Sequence, residues 1–132
     1  MTHKLMVILC AAVLVLLFAG PMFAHHGAAA FDTAQTTTLK GTVLEFDFIN
    51  PHCQLFINVA DDSGKIVKWD GEFTNPGTLH RRGWTKEMFK PGDQITLIGN
   101  RAKSGASVLR VMKLELADGR VITALGGEDY RE

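Results

Sequence analysis

Between residues 36 and 73 apolar and polar side chains alternate with a period of two, broken only by compact turn signals. That pattern commits this part of the chain to β-strands. In residues 36–49, Leu44, Phe46 and Phe48 fall on one face and Val43, Glu45, Asp47 and Ile49 on the other. Asn50-Pro51 ends the run, because proline has no N–H to give a central ladder. Residues 53–60 resume it, with Cys53, Leu55, Ile57 and Val59 on one side. Asp61-Asp62-Ser63-Gly64 reads as a hairpin turn, and residues 65–73 return as a third strand. A three-stranded meander with an apolar face has to bury that face against further elements.

The next residues supply them. Asn75-Pro76 is a helix start, with Asn as cap and Pro at the first helical position. Leu79, His80, Arg81 and Arg82 fit a short helix stopped by Gly83. Thr85 can cap a second turn over residues 86–90, which Pro91-Gly92-Asp93 ends. Residues 94–100 and 107–116 read as a fourth and fifth strand, and Asp118-Gly119 turns into a short sixth around Val121-Ile122. Three meandering strands, a helical insert and two more strands is the order of an oligonucleotide/oligosaccharide-binding (OB) barrel. Closure would also remove the exposed edges of such short strands. The expected fold is mostly β: a small five- to six-stranded OB-like barrel, or an open sandwich, with a short helical insert between strands 3 and 4. It occupies residues 36–125, after an arm over 25–35 and before a polar, loose tail over 126–132.

At 132 residues the chain has room for one such domain. Its first 24 residues follow the order of a secretory signal peptide: a short start with Lys4, an uncharged apolar run over residues 5–20, then Pro21-Met22-Phe23-Ala24. The run is short for a bilayer span of about 20 residues, and no basic stop-transfer cluster follows it. Cleavage is expected after Ala24, which leaves His25 as the mature N-terminus; Ala19 and Ala30 are the other small residues at which it could fall. The mature chain is therefore expected in the periplasm or outside the cell, without stable membrane insertion.

The whole chain has 14 Lys and Arg against 14 Asp and Glu, and loss of Lys4 leaves a formal charge of −1. Near-neutrality offers no basic face for nucleic acid. Only Cys53 remains after cleavage, so no internal disulfide can form. Burial as a small apolar filler is the expected fate of Cys53.

A set of short motifs resembles a family of small secreted bacterial proteins classed as a domain of unknown function. The motifs are His25-His26-Gly27, Leu39-Lys40-Gly41-Thr42-Val43, Asn50-Pro51-His52 and Leu79-His80-Arg81-Arg82-Gly83-Trp84-Thr85, followed by Lys90-Pro91-Gly92-Asp93 and Arg101-Ala102-Lys103. The Arg-Arg-Gly-Trp block is the distinctive one, and Cys53 and His80 stand where apolar residues are usual. The resemblance implies a periplasmic barrel and brings no established activity or catalytic residues.

Three histidines carry the most suggestive chemistry. With His25 at the terminus, its α-amine and imidazole can chelate one metal, and His26 could add a nitrogen. Amine and imidazole donors suit Cu(II). His52 follows a turn, and since neighbouring strand residues face opposite ways, it should point away from the Cys53 face. The candidate metal ligands are thus His25, His26 and His52, with copper the metal they suit and His80 a weaker addition. Met88 and Met112 are more readily explained as packing. Arg81 and Arg82 could clamp an anion bidentately, with Trp84 beside them; their structural partners would be carbonyls or acids such as Asp70, Glu72 and Glu87. Trp69, Trp84 and Phe89 fit a core better than a ligand platform. No nucleophile elbow, His-Glu-x-x-His helix or phosphate loop is present. The expected function is an exported, non-enzymatic protein that binds copper through its mature N-terminal histidine. The alternative is a metal-free barrel that binds another envelope protein or a small ligand through its face and the Arg81/Arg82/Trp84 patch.

Overall fold

In the computed structural model, which describes residues 27–124, β1 (Thr37–Asp47) is long enough to serve two neighbours. Its first half pairs antiparallel with β4 (Gln94–Arg101), from Thr37 opposite Gly99 to Thr42 opposite Gln94. Its second half pairs antiparallel with β2 (Gln54–Ala60). The Asp61–Lys65 turn folds β3 (Ile66–Glu72) back onto β2, and Asp61 holds that turn by accepting from Ser63 and Lys65 N–H groups. β5 (Val108–Leu116) lies antiparallel to β4 and meets β3 in parallel, with Asp70, Gly71 and Glu72 opposite Val108, Leu109 and Arg110. That last pairing closes a five-stranded barrel in the order β1-β2-β3-β5-β4. β6 (Val121–Thr123) adds to the far half of β5. The closed barrel, not the open sandwich, is the fold.

One face assignment is corrected. Period-two counting puts Val43 with Glu45 and Asp47, yet Val43 is buried while Glu45 is exposed and Asp47 half-buried. A bulge is the cause: Val43 faces Ile57 and Glu45 faces Phe56, which leaves Leu44 unmatched. An unmatched residue reverses the alternation beyond it. Leu39 and Val43 therefore point inward before the bulge, and Phe46 packs on the core after it.

The interior is filled by Leu55, Ile57, Leu97, Leu109, Val111 and Leu114, all fully enclosed. Burying each such large aliphatic side chain contributes about 1.5–3 kcal/mol. Cys53 extends the Leu55–Ile57 face inward, as its alternation implies. The helix α1 (Pro76–Arg81) sits between β3 and β4. Asn75 caps it by accepting from the Thr78 N–H at 2.9 Å, and Gly83 just beyond it takes φ +82°. Leu79 anchors α1 in the core, and Trp84 joins Phe46, Phe73 and Phe89 in an aromatic cluster with centroids 5.0–6.4 Å apart. The second turn expected after Thr85 is present: Met88 N–H donates to the Thr85 carbonyl at 3.2 Å. Among the described residues no helix is long and apolar enough to cross a membrane.

Candidate functional site

The N-terminal arm is stitched to the barrel beside the end of β4. Asp32 N–H donates to the Arg101 carbonyl and Lys103 N–H to the Ala30 carbonyl, each at 2.9 Å. Between them Phe31 bridges Ala102 and buries its ring. The buried Asn100 amide donates to the Gln35 carbonyl at 2.9 Å and fixes the arm's other end. A single 3-10 turn at Ala28–Ala30 then brings Gly27 to the barrel's rim.

There the arm walls a cleft of about 910 Å³. Gly27, Ala30 and Phe31 line it from the arm, Pro51, His52 and Glu72 from the β2–β3 side, and Ala102, Lys103, Ser104 and Ala106 of the β4–β5 loop, with Val108 at the start of β5, complete it. The walls are mainly apolar, with His52, Glu72, Lys103 and Ser104 as the polar groups. His52 is held by its neighbour: Cys53 is buried, its N–H donates to the Thr74 carbonyl and its carbonyl accepts from Phe73 N–H. With Cys53 fixed inward, the His52 ring stays on the outer side, with 43% of its side chain exposed. Its Nδ1 lies 3.3 Å from Oε1 of Glu72, whose side chain is 23% exposed.

Next along the outer face of β3, Asp70 accepts from Gln54 Nε2 at 2.6 Å through one oxygen. Its other oxygen is buried with no hydrogen-bond partner among the described residues. Burial pushes the Asp70 carboxyl above its ordinary range; the Gln54 bond and Lys68 pull it down, while the charges of Glu72 and Asp47 add to the rise. Burial likewise raises the Cys53 thiol, against a backbone hydrogen bond at Ile49. Cys53 does not line the cleft.

The expected site residues separate accordingly. His52 is on the cleft, while His25 and His26 lie outside the described residues, immediately upstream of the cleft-lining Gly27. His80 is exposed on α1 and is no part of the cleft. Among the described residues no group of three or more His, Cys, Asp or Glu is gathered to hold a metal. Trp84 is buried, so it presents no face beside the arginines and the three do not form one surface patch. Arg82 donates to the Ala124 carbonyl at 2.9 Å and Arg81 to Thr78 Oγ1 at 3.2 Å. The partners are thus a carbonyl and a hydroxyl in place of Asp70, Glu72 or Glu87. Glu72 faces His52 instead, and this role, with those of Phe31 and Lys103, was missed by sequence reasoning. A lone aromatic in an Ala-rich arm was the available signal for Phe31; Glu72 and Lys103 carried none.

A family model described as a family of unknown function, DUF6152, matches residues 12–109. The chain belongs to that family. The DUF6152 match runs from inside the N-terminal apolar run to Leu109 in β5, so it takes in the arm, His52, Glu72 and α1. The rest of β5 and β6 lie beyond the DUF6152 match. No curated protein and no solved structure matches the chain.

Proposed function

We propose that this chain is an exported, non-enzymatic binding module that holds a copper ion at the arm cleft. The donors are the α-amine and imidazole of a mature N-terminal His25, with His26 and His52 as further nitrogens. One observation carries the reading: Gly27 and His52 line the same cleft. Cleavage after Ala24 leaves two residues ahead of Gly27, a reach of about 7 Å of chain. Amine and imidazole nitrogens favour Cu(II) among the common divalent metals. Glu72 and Lys103, one acid and one base, both line the cleft.

The apolar walls favour a second reading, a metal-free module that takes a small ligand or a segment of an envelope protein in the same cleft. Its volume lies within the roughly 300–1,000 Å³ of small-molecule sites. The buried Trp84 moves this alternative away from Arg81 and Arg82 and onto the cleft.

The test begins with the intact mass of the exported protein, expected to start at His25. Cu(II) is then titrated into that protein, a form with one extra N-terminal Gly, and His52→Ala. The extra Gly ties the amine into a peptide bond, so both altered forms should bind more weakly than the parent. Equal binding by all three, or none below about 10 μM (roughly −7 kcal/mol), rejects the copper site and leaves the metal-free reading.

A further inference from the structure

We infer that a second cleft, beside Trp69, binds a small monocarboxylate with an apolar body, its carboxylate seated on the Arg101 guanidinium. This site is separate from the copper reading: the two clefts share no lining residue.

The second cleft, of about 540 Å³, lies where β1 begins, β2 ends, β3 begins and β4 ends. Antiparallel pairing of β1 with β2 and β4, and of β2 with β3, brings those strand ends together. Leu39 and Trp69 are buried there, and Val59 and Val67 stand opposite each other, half-buried. These four supply an apolar lining, and the volume is that of a small-molecule site.

Arg101, the last residue of β4, is fixed at its backbone. It pairs with Leu109 of β5, and its carbonyl accepts from Asp32 N–H at 2.9 Å. Its guanidinium lies over the Trp69 ring, 4.7 Å from the centroid. That contact restrains the cation but offers its N–H groups no oxygen. Among the described residues the Arg101 side chain makes no hydrogen bond or ion pair, although Asp61 and Asp62 line the same cleft. A restrained guanidinium with a free fork of donors matches a carboxylate, which it can hold through two parallel N–H···O bonds. Restraint before binding lowers the entropy cost of ordering the side chain.

The charges along the cleft decide which anion suits it. Lys40 and Arg101 bring two positive charges, Asp61 and Asp62 two negative ones. The Ser63 hydroxyl donates to Asp61 at 2.7 Å and, with the Lys65 and Ser63 N–H groups, holds its carboxyl below the usual range, so that Asp61 is ionised at neutral pH. Like charges in a site select against the wrong ligand. A multiply charged anion such as phosphate meets that repulsion more than once, whereas a single carboxylate meets it least.

The experiment uses the exported protein labelled with ¹⁵N and follows its two tryptophan indole N–H signals as isocaproate, isocaproamide or inorganic phosphate is added. Isocaproate should shift the Trp69 signal saturably and leave that of Trp84, enclosed in the aromatic cluster, in place. Isocaproamide has the same shape without the charge and should bind at least about tenfold more weakly, the worth of one charge-assisted hydrogen bond. Arg101→Lys, which keeps the charge and loses the fork, should weaken isocaproate binding by a similar factor. Phosphate should bind more weakly than isocaproate. Acid and amide acting alike, or no response to the acid up to about 10 mM, overturns the site, and that comparison needs no variant to fold. Phosphate bound as tightly as isocaproate overturns the choice of a monocarboxylate. Undiminished binding by a folded Arg101→Lys protein overturns the role of the guanidinium fork.

Discussion

At Asp70 the barrel carries a charge where burial opposes it. Because burial raises the folded-state carboxyl above its unfolded value, the folded protein binds the proton more tightly than the unfolded chain. Stability from this group is then greatest below the unfolded value of about 3.9 and falls as pH rises toward the folded one. Asp70→Asn keeps an acceptor for Gln54 and removes the charge. Its melting temperature is expected to exceed the wild type's at pH 7, with the gap closing as pH is lowered toward 4. A variant that melts lower across that whole range would show that the charge is not the cost. The two arginines make a second comparison at this scale. Arg82 ties α1 to the Ala124 carbonyl beyond β6, whereas Arg81 bonds only Thr78 within its own helix. Arg82→Ala should lower stability by about 1 kcal/mol, and Arg81→Ala by less than about 0.5, the usual size of a surface change. Paired thermal melts read both.

At the scale of elements, what could be read from the sequence follows how local the signal was. Asn75, Pro76 and Gly83 mark both ends of α1 by backbone chemistry that needs no distant partner, and the helix lies where they put it. The five barrel strands and β6 also fall within two residues of their expected limits. The bulge at Leu44 was not legible, because neither Gly nor Pro flags it and it exists only as a mismatch with β2. The candidate site was hidden for a similar reason. Its walls come from residues 27–31, 51–52, 72 and 102–108, and most are small residues whose pattern suggests only loop. His52 could be assigned the face opposite Cys53 because that inference uses adjacent residues alone. A second irregularity, on β5, supplies a test. Ile98 faces Lys113 but Gly99 faces Val111, so Met112 is the unmatched residue. A Cβ on Gly99 would fall on the Arg110 carbonyl. The two strands approach too closely there for any side chain, and backbone cannot swing aside as a flexible side chain could. Gly99→Ala is expected to cost at least the 1–3 kcal/mol or so typical of overpacking, measured by denaturant unfolding. A loss below about 0.5 kcal/mol would mean the strands separate easily at this point.

For the molecule as a whole, the barrel is held by ladders of unequal length. β2 and β3 share seven residue pairs, whereas β3 and β5 share three, Asp70 to Glu72 with Val108 to Arg110. The short ladder should be the first to part when the native state fluctuates, since local opening follows the fewest backbone bonds. In amide hydrogen exchange, Asp70 N–H, which donates to the Ser107 carbonyl at 3.0 Å, should exchange well before the β2–β3 amides. Equal protection along both ladders would contradict this. Glu72 of β3 and Val108 of β5 stand on the two strands of this short ladder, and both line the arm cleft. Whatever occupies the cleft therefore spans the barrel's own line of opening and acts as an added rung across it. Binding should slow exchange at Asp70 and its neighbours by mass action. The breathing of this one ladder thus becomes a gauge of occupancy, readable even for an occupant that gives no signal of its own.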